Sequence, residues 1–195
     1  MLRAGTRIPR SQTRLLNVSE AQSSIDGAEN ILLVQELSRE QRDATLESMI
    51  TDIKKAQANL TIYEALPMSA EEQSIWDAFV PKWQKWLENH QEFLNKETAY
   101  RTKVTQLAYD EMVRQGIVTN AISFKEAESL LKQLVNLNSG LADQAVKDVN
   151  QLSLQVRMTS LAAVTVGTIL SILFGIIISL MVLKPVNQLN KDLSQ

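Results

Sequence analysis

The chain has 195 residues, with 20 Lys+Arg against 22 Asp+Glu and a formal net charge of −2, a balance that gives no electrostatic case for nucleic-acid binding. Zero cysteines exclude a disulfide framework or thiolate metal site, and the single histidine, His90, excludes a His-rich metal centre. Six glycines and four prolines are too few turn residues for a β fold, so the composition predicts an all-α protein.

Residues 1–14 read as a basic arm with Arg3, Arg7, Arg10 and Arg14, too polar for a secretory signal. From Leu15 to about Leu37, Val18, Ile25, Ala28 and Leu32 keep a helical stripe. Ser38, with Gln41 three residues on, fits a capping box. Leu46, Met49, Ile53, Ala56, Leu60 and Tyr63 then alternate steps of three and four until Pro67 closes the helix. Ser69 and Glu72 form a second capping box. It opens a helix whose inward positions are Phe79, Trp83, Trp86, His90, Phe93, Tyr100, Val104 and Leu107, with Pro81 as a source of local kinking.

Residues 116–120 are the next expected break, with Ser123 as a cap beyond it. From Phe124 the stripe Ala127, Leu131, Leu134, Asn138, Leu141, Ala145, Val149, Leu152 and Val156 runs without a stop into residues 158–183. These are 26 consecutive uncharged residues between Arg157 and Lys184. A helix of that length measures roughly 39 Å, enough to cross a bilayer core of about 30 Å with some tilt. Its backbone satisfies its own polar groups, as lipid requires. After the span, Pro185 stands at a first-turn position, and Val186, Leu189 and Leu193 fall at an a/d spacing, so the chain is expected to restart as a short amphipathic helix.

Four stripes with short connections describe an elongated antiparallel four-helix bundle over residues 15–157, continuing into a transmembrane helix over 158–183. Parity puts the start of the first helix at the membrane. A preceding span is therefore expected upstream of this sequence, or else the basic arm rests on the lipid surface.

Several side chains stand out. His90, inward beside Trp86 and Phe93, is a candidate ligand contact or proton sensor; a hydrogen-bonded histidine at a bundle seam is the favoured reading. Trp83 and Trp86, with Trp76 and Phe79, are candidates to line an aromatic pocket, core packing being favoured. Asn138, in an apolar stripe, is expected to fix register. Asn30 and Glu29 on the first helix face either a pocket or water. Within the span, Gly167, Ser171 and Gly175 repeat every four residues, a packing seam for another span or a second subunit. Glu71/Glu72 and Glu126/Glu128 read as caps or solvated charges. With no phosphate loop, nucleophile elbow or metal spacing, the chain is expected to be no enzyme and to need no cofactor.

A bundle running into a span and then Lys184-Pro185-Val186 resembles the sensor region of bacterial methyl-accepting chemotaxis proteins, and residues 184–195 resemble the start of a HAMP linker. The stretch Ala28-Glu29-Asn30 through Tyr63-Glu64-Ala65-Leu66-Pro67, then Glu71-Glu72 and the Trp83/Trp86 pair, resembles the four-helix-bundle sensor class. The resemblance implies a homodimeric chemoreceptor in the bacterial inner membrane with its bundle extracytoplasmic. It would bind a small-molecule ligand or a periplasmic binding protein and pass a helix shift through the bilayer. Cytoplasmic signalling partners would be reached through a C-terminal region beyond this sequence. The carboxylate-gripping arginines that well-known members carry on the first bundle helix do not carry over, because residues 15–38 contain no arginine; Arg39 and Arg42 come only afterwards. The rival class is a tail-anchored coiled-coil tether or fusion protein with its wet helices in the cytosol, and topology separates the two.

Overall fold

The computed structural model describes residues 4–192, with side-chain surroundings for residues 11–178. The helices are α1 (Ala4–Leu32), α2 (Arg39–Glu64), α3 (Ala70–Thr102), α4 (Gln106–Arg114) and α5 (Ala121–Asp192), with a π-helical segment, Gln115–Asn120, joining the last two. Both expected capping boxes are made. Gln41 N–H donates to Ser38 Oγ at 3.2 Å while Ser38 N–H donates to Gln41 Oε1 at 2.9 Å. Glu72 and Ser69 repeat the exchange at 3.1 and 3.3 Å. Each box satisfies two backbone donors that a helix N-terminus leaves orphaned.

The compact unit Met1–Gln144 is an all-α antiparallel bundle. Neighbouring helices run in opposite directions. Ser24 meets Asp52 and Asn17 meets Asn59 across α1 and α2, while Tyr63 meets Glu72 and Arg42 meets Glu97 across α2 and α3. Lys82 meets Glu126 across α3 and α5, and Ser11 meets Asn138 across α1 and α5. The core follows from spacing. On α3 the buried residues Glu72, Trp76, Phe79, Trp83, Trp86, His90, Phe93, Glu97 and Tyr100 fall at unbroken steps of four and three, one face of a helix. Their rings form a ladder, with centroids 5.2 Å apart for Tyr63–Trp76, 5.6 Å for Trp76–Phe79, 5.7 Å for Phe79–Trp83 and 4.8 Å for Trp83–Trp86. Burying such side chains contributes about 1.5–3 kcal/mol each, and α3 supplies the aromatic part of the core.

Four boundaries depart from the sequence expectation. The first helix begins at Ala4 and takes in most of the residues read as an arm, with Ser11 buried against Asn138. It also ends at Leu32, short of Leu37. Leu33 and Val34 N–H close short turns, Arg42 donates to the Leu32 and Val34 carbonyls at 2.8 Å each, and the Tyr109 hydroxyl donates to Leu33 at 3.1 Å. Two neighbouring helices thus satisfy the carbonyls that the helix end exposes. The turn after α3 lies at residues 103–105, not 116–120. Thr105 caps α4 by accepting from Ala108 N–H at 3.2 Å, and Val104 and Leu107, expected inside, are 75% and 70% exposed. At 116–120 the chain keeps its helical path by widening to a π turn, and Gly116 lies against the Phe93 ring. Finally, α5 continues past Pro185 to Asp192 instead of restarting. The side chains of Val186 and Leu189, and Leu193 altogether, lie outside the described residues. Pro81 sits exposed within α3, which remains one helix.

The second unit is Ala145–Gln195, of which residues 145–192 are α5 helix. Val149, Leu152 and Val156 of the expected stripe are exposed, as are the apolar residues through Ile178. Among the described residues this helix alone is long and apolar enough to cross a membrane. Four of its hydroxyls are satisfied within the helix: Thr159, Thr165, Thr168 and Ser171 donate to the carbonyls of Gln155, Leu161, Val164 and Gly167 at 2.8, 2.9, 2.9 and 2.8 Å. Lipid demands that kind of internal pairing. A Cβ added at Gly167 or Gly175 would meet nothing within 4 Å, so the Gly167–Ser171–Gly175 face is open.

Candidate functional site: polar layers across the bundle

The α3 seam carries three ionisable residues at inward positions, and each recruits partners from the facing helices. The layer nearest Gln144 holds Glu72. Its Oε1 accepts from the Tyr63 hydroxyl at 2.6 Å and from Asn138 Nδ2 at 3.0 Å, while Ser11 Oγ donates to Asn138 Oδ1 at 2.6 Å. All four helical strands of the bundle meet there, and only one vertical alignment makes those bonds. Asn138 therefore sets register, as its place in the stripe suggested.

The middle layer centres on Glu29 and His90, each 2% exposed. His90 Nδ1 lies 2.5 Å from Glu29 Oε1, and Asn120 Nδ2 donates to both Glu29 oxygens at 2.8 Å. Gln115 Nε2 donates to Asn120 Oδ1 at 3.0 Å and to the Asn89 carbonyl at 3.1 Å. Asn120 and His90 between them give both oxygens of the buried Glu29 side chain hydrogen-bond partners. The π turn is what makes this possible. It brings Gln115 and Asn120, five residues apart, onto one inward face, where α-helical spacing would put four-residue neighbours. Beside this layer His90 Nε2, Trp86 Nε1 and Gln22 Oε1 are buried without a hydrogen-bond partner among the described residues. A polar layer satisfied on one side and not on the other is held less firmly than an apolar one.

The third layer lies under the α1–α2 and α3–α4 connections. Arg42 stacks 5.7 Å above the Tyr100 ring and stands 3.6 Å from Glu97, which is 1% exposed. Burial raises the Glu97 carboxyl above its ordinary range, with Arg101 and Arg42 pulling it down.

The residues singled out in the sequence are dispersed. His90 is central to the middle layer. Trp83 and Trp86 are rungs of the aromatic ladder, and Trp83 also borders a groove of about 480 Å³ between α2 and α3. Asn30 is exposed on α1 and donates to its own helix, at Asp26, at 2.9 Å. Glu29, Asn120, Gln115 and Arg42 carry most of the polar geometry. Glu29 was legible: it continues the buried progression Val18, Gln22, Ile25, and Leu32 follows three residues on.

Comparison with known families matches residues 17–153 to a four-helix-bundle sensory module for signal transduction. No curated protein and no solved structure matches the chain.

Proposed function

This chain belongs to the four-helix-bundle sensory-module family of chemotaxis receptors, a signalling family and not an enzyme family, and we propose that it is the membrane-anchored sensor end of such a receptor. In this reading the bundle stands outside the bacterial inner membrane, α5 crosses the membrane over 158–183, and the segment from 184 starts a HAMP-type helix. Two copies associate, with the Gly167–Ser171–Gly175 face as their seam in lipid. A small molecule or a periplasmic binding protein supplies the signal, and a cytoplasmic region beyond residue 195 passes it on.

The observation that carries the reading is the middle polar layer. Transmembrane signalling needs an element with two arrangements that a ligand binds unequally. Glu29, His90 and Asn120 tie α1 and α3 to the π turn, and α5 follows that turn without a break. Making or breaking the layer biases the register of the helix that enters the lipid, and a continuous helix passes an axial shift or rotation onward where a flexible linker would absorb it.

Topology tests the proposal. These 195 residues contain no cysteine, so Ser48→Cys on the exposed face of α2 and Ser194→Cys each add one thiol, read against labelling of the unsubstituted receptor. In intact cells carrying the full-length receptor, a membrane-impermeant thiol reagent is expected to label the first and spare the second. Labelling of Ser194→Cys alone would put the bundle in the cytosol and favour a tail-anchored tether.

A further inference from the structure

The groove of about 480 Å³ on the outside of the bundle runs between the end of α2 and the first half of α3. Its apolar lining is Leu60 from α2 with Trp76, Phe79, Val80, Trp83 and Leu87 from α3. Trp76 and Trp83 are each 5% exposed, so the indoles are set into the floor instead of standing free in water. Consecutive floor rings are tilted by 40° and 38°, with centroids 5.6 and 5.7 Å apart, a herringbone that a further ring can join edge to face. Glu64 is the one charged residue of the lining; Gln57, Thr61 and Gln84 are neutral, and no Lys or Arg lines the groove. The Glu64 side chain is exposed and makes no ion pair or hydrogen bond among the described residues. It also closes α2, whose last turn has no basic residue, so the negative end of the helix dipole adds to the carboxylate.

We propose that this groove binds a small arylalkylammonium ion, its ring lying on the α3 aromatics and its ammonium group facing Glu64. An apolar floor with one charge at its border selects for a molecule with one apolar body and one opposite charge. A neutral molecule of the same shape would gain the apolar contact alone, and an anion would meet both the carboxylate and the helix end. The volume falls within the roughly 300–1,000 Å³ of small-molecule sites. Only the statement that this ligand is a signal rests on the sensor reading; the binding itself does not.

The test is titration of the full chain in phosphatidylcholine vesicles, followed by tryptophan fluorescence, since two of the three tryptophans line the groove. The probes share one shape and differ in charge: phenethylamine, phenethyl alcohol and hydrocinnamate. Phenethylamine is expected to bind about three- to fivefold more tightly than the alcohol, the range that an exposed ion pair supplies, and hydrocinnamate more weakly than either. Glu64→Gln is expected to bring the amine and the alcohol within about twofold of each other. Glu64→Lys is expected to reverse the order, so that hydrocinnamate binds more tightly than the amine. A reversed preference cannot come from a misfolded bundle, and Glu64 is an exposed residue without a partner to lose. Failure of phenethylamine to change the fluorescence, equal binding of amine and alcohol by the unsubstituted chain, or an unchanged order in Glu64→Lys would each overturn the proposal. None of those results bears on the labelling of Ser48→Cys, which decides the sensor reading by itself.

Discussion

Asn120→Ala probes the middle layer most sharply. Asn120 is fully buried, donates to both Glu29 oxygens at 2.8 Å and accepts from Gln115. Its truncation leaves a buried carboxylate facing His90 alone and strands the Gln115 amide donor, which keeps only the Asn89 carbonyl. A buried polar group left without its hydrogen bond costs about 1–3 kcal/mol, and the truncation removes such a bond from both Glu29 and Gln115, so a loss of about 2–6 kcal/mol is expected. For a domain near this size each kcal/mol moves Tm by about 2–4 °C, which predicts a fall of about 4–24 °C. The assay is thermal unfolding followed by circular dichroism in nanodiscs. Asn30→Ala serves as control: that side chain is exposed and bonds only within its own helix, so its change stays within about 0.5 kcal/mol. A double-mutant cycle with Glu29→Gln isolates the Asn120–Glu29 term. If Asn120→Ala lowered Tm no more than Asn30→Ala, the layer would not be held as described.

Glycine substitutions should split by surroundings. A Cβ at Gly116 would stand 3.1 Å from Phe93 Cε2, so Gly116→Ala is expected to destabilise by about 1–3 kcal/mol, whereas Gly27, with nothing within 4 Å, should gain about 0.5–1 kcal/mol as Ala; chemical denaturation compares them. Burial, and then the neighbouring Glu29 and Glu128 carboxylates, raise the Asp26 carboxyl above its ordinary value. The native state therefore keeps that proton to higher pH than the unfolded chain, and the group costs stability as pH rises through the interval above the ordinary value. Asp26→Asn should accordingly compare better with the unsubstituted chain at pH 7 than at pH 3, and a Tm comparison showing the reverse trend would contradict the sign. In membranes, Gly167→Leu with Gly175→Leu should slow disulfide crosslinking between copies; since neither position has an intrachain neighbour, unchanged crosslinking would remove the seam.

The helical class, the capping boxes and the α3 seam were all legible, because each depends on local spacing and on side chains that act within one turn. The turn at 103–105 was hidden because Val104 and Leu107 continue the seam's spacing, while Gly116 offered a stronger breaker signal. What reverses the choice is tertiary: Gly116 fits against Phe93, and a π turn keeps Gln115 and Asn120 facing inward. His90 was recognised as inward from its own helix, but its partner Glu29 required reading acidic residues as members of an apolar stripe. The capping of α1 by Arg42 and Tyr109 depends on chain segments 10 and 76 residues away and leaves no local trace.

The central claim is that the polar layer of the bundle controls the helix in the membrane. The most direct measurement is the rate of disulfide crosslinking between copies at Ser171→Cys in native membranes, below the unfolding temperature, with Asn120 intact and with Asn120→Ala. The account predicts a rate change of about twofold or more on breaking the layer, abolished when two glycines are inserted after Val156 to uncouple the helix. Equal rates with and without the layer would contradict it.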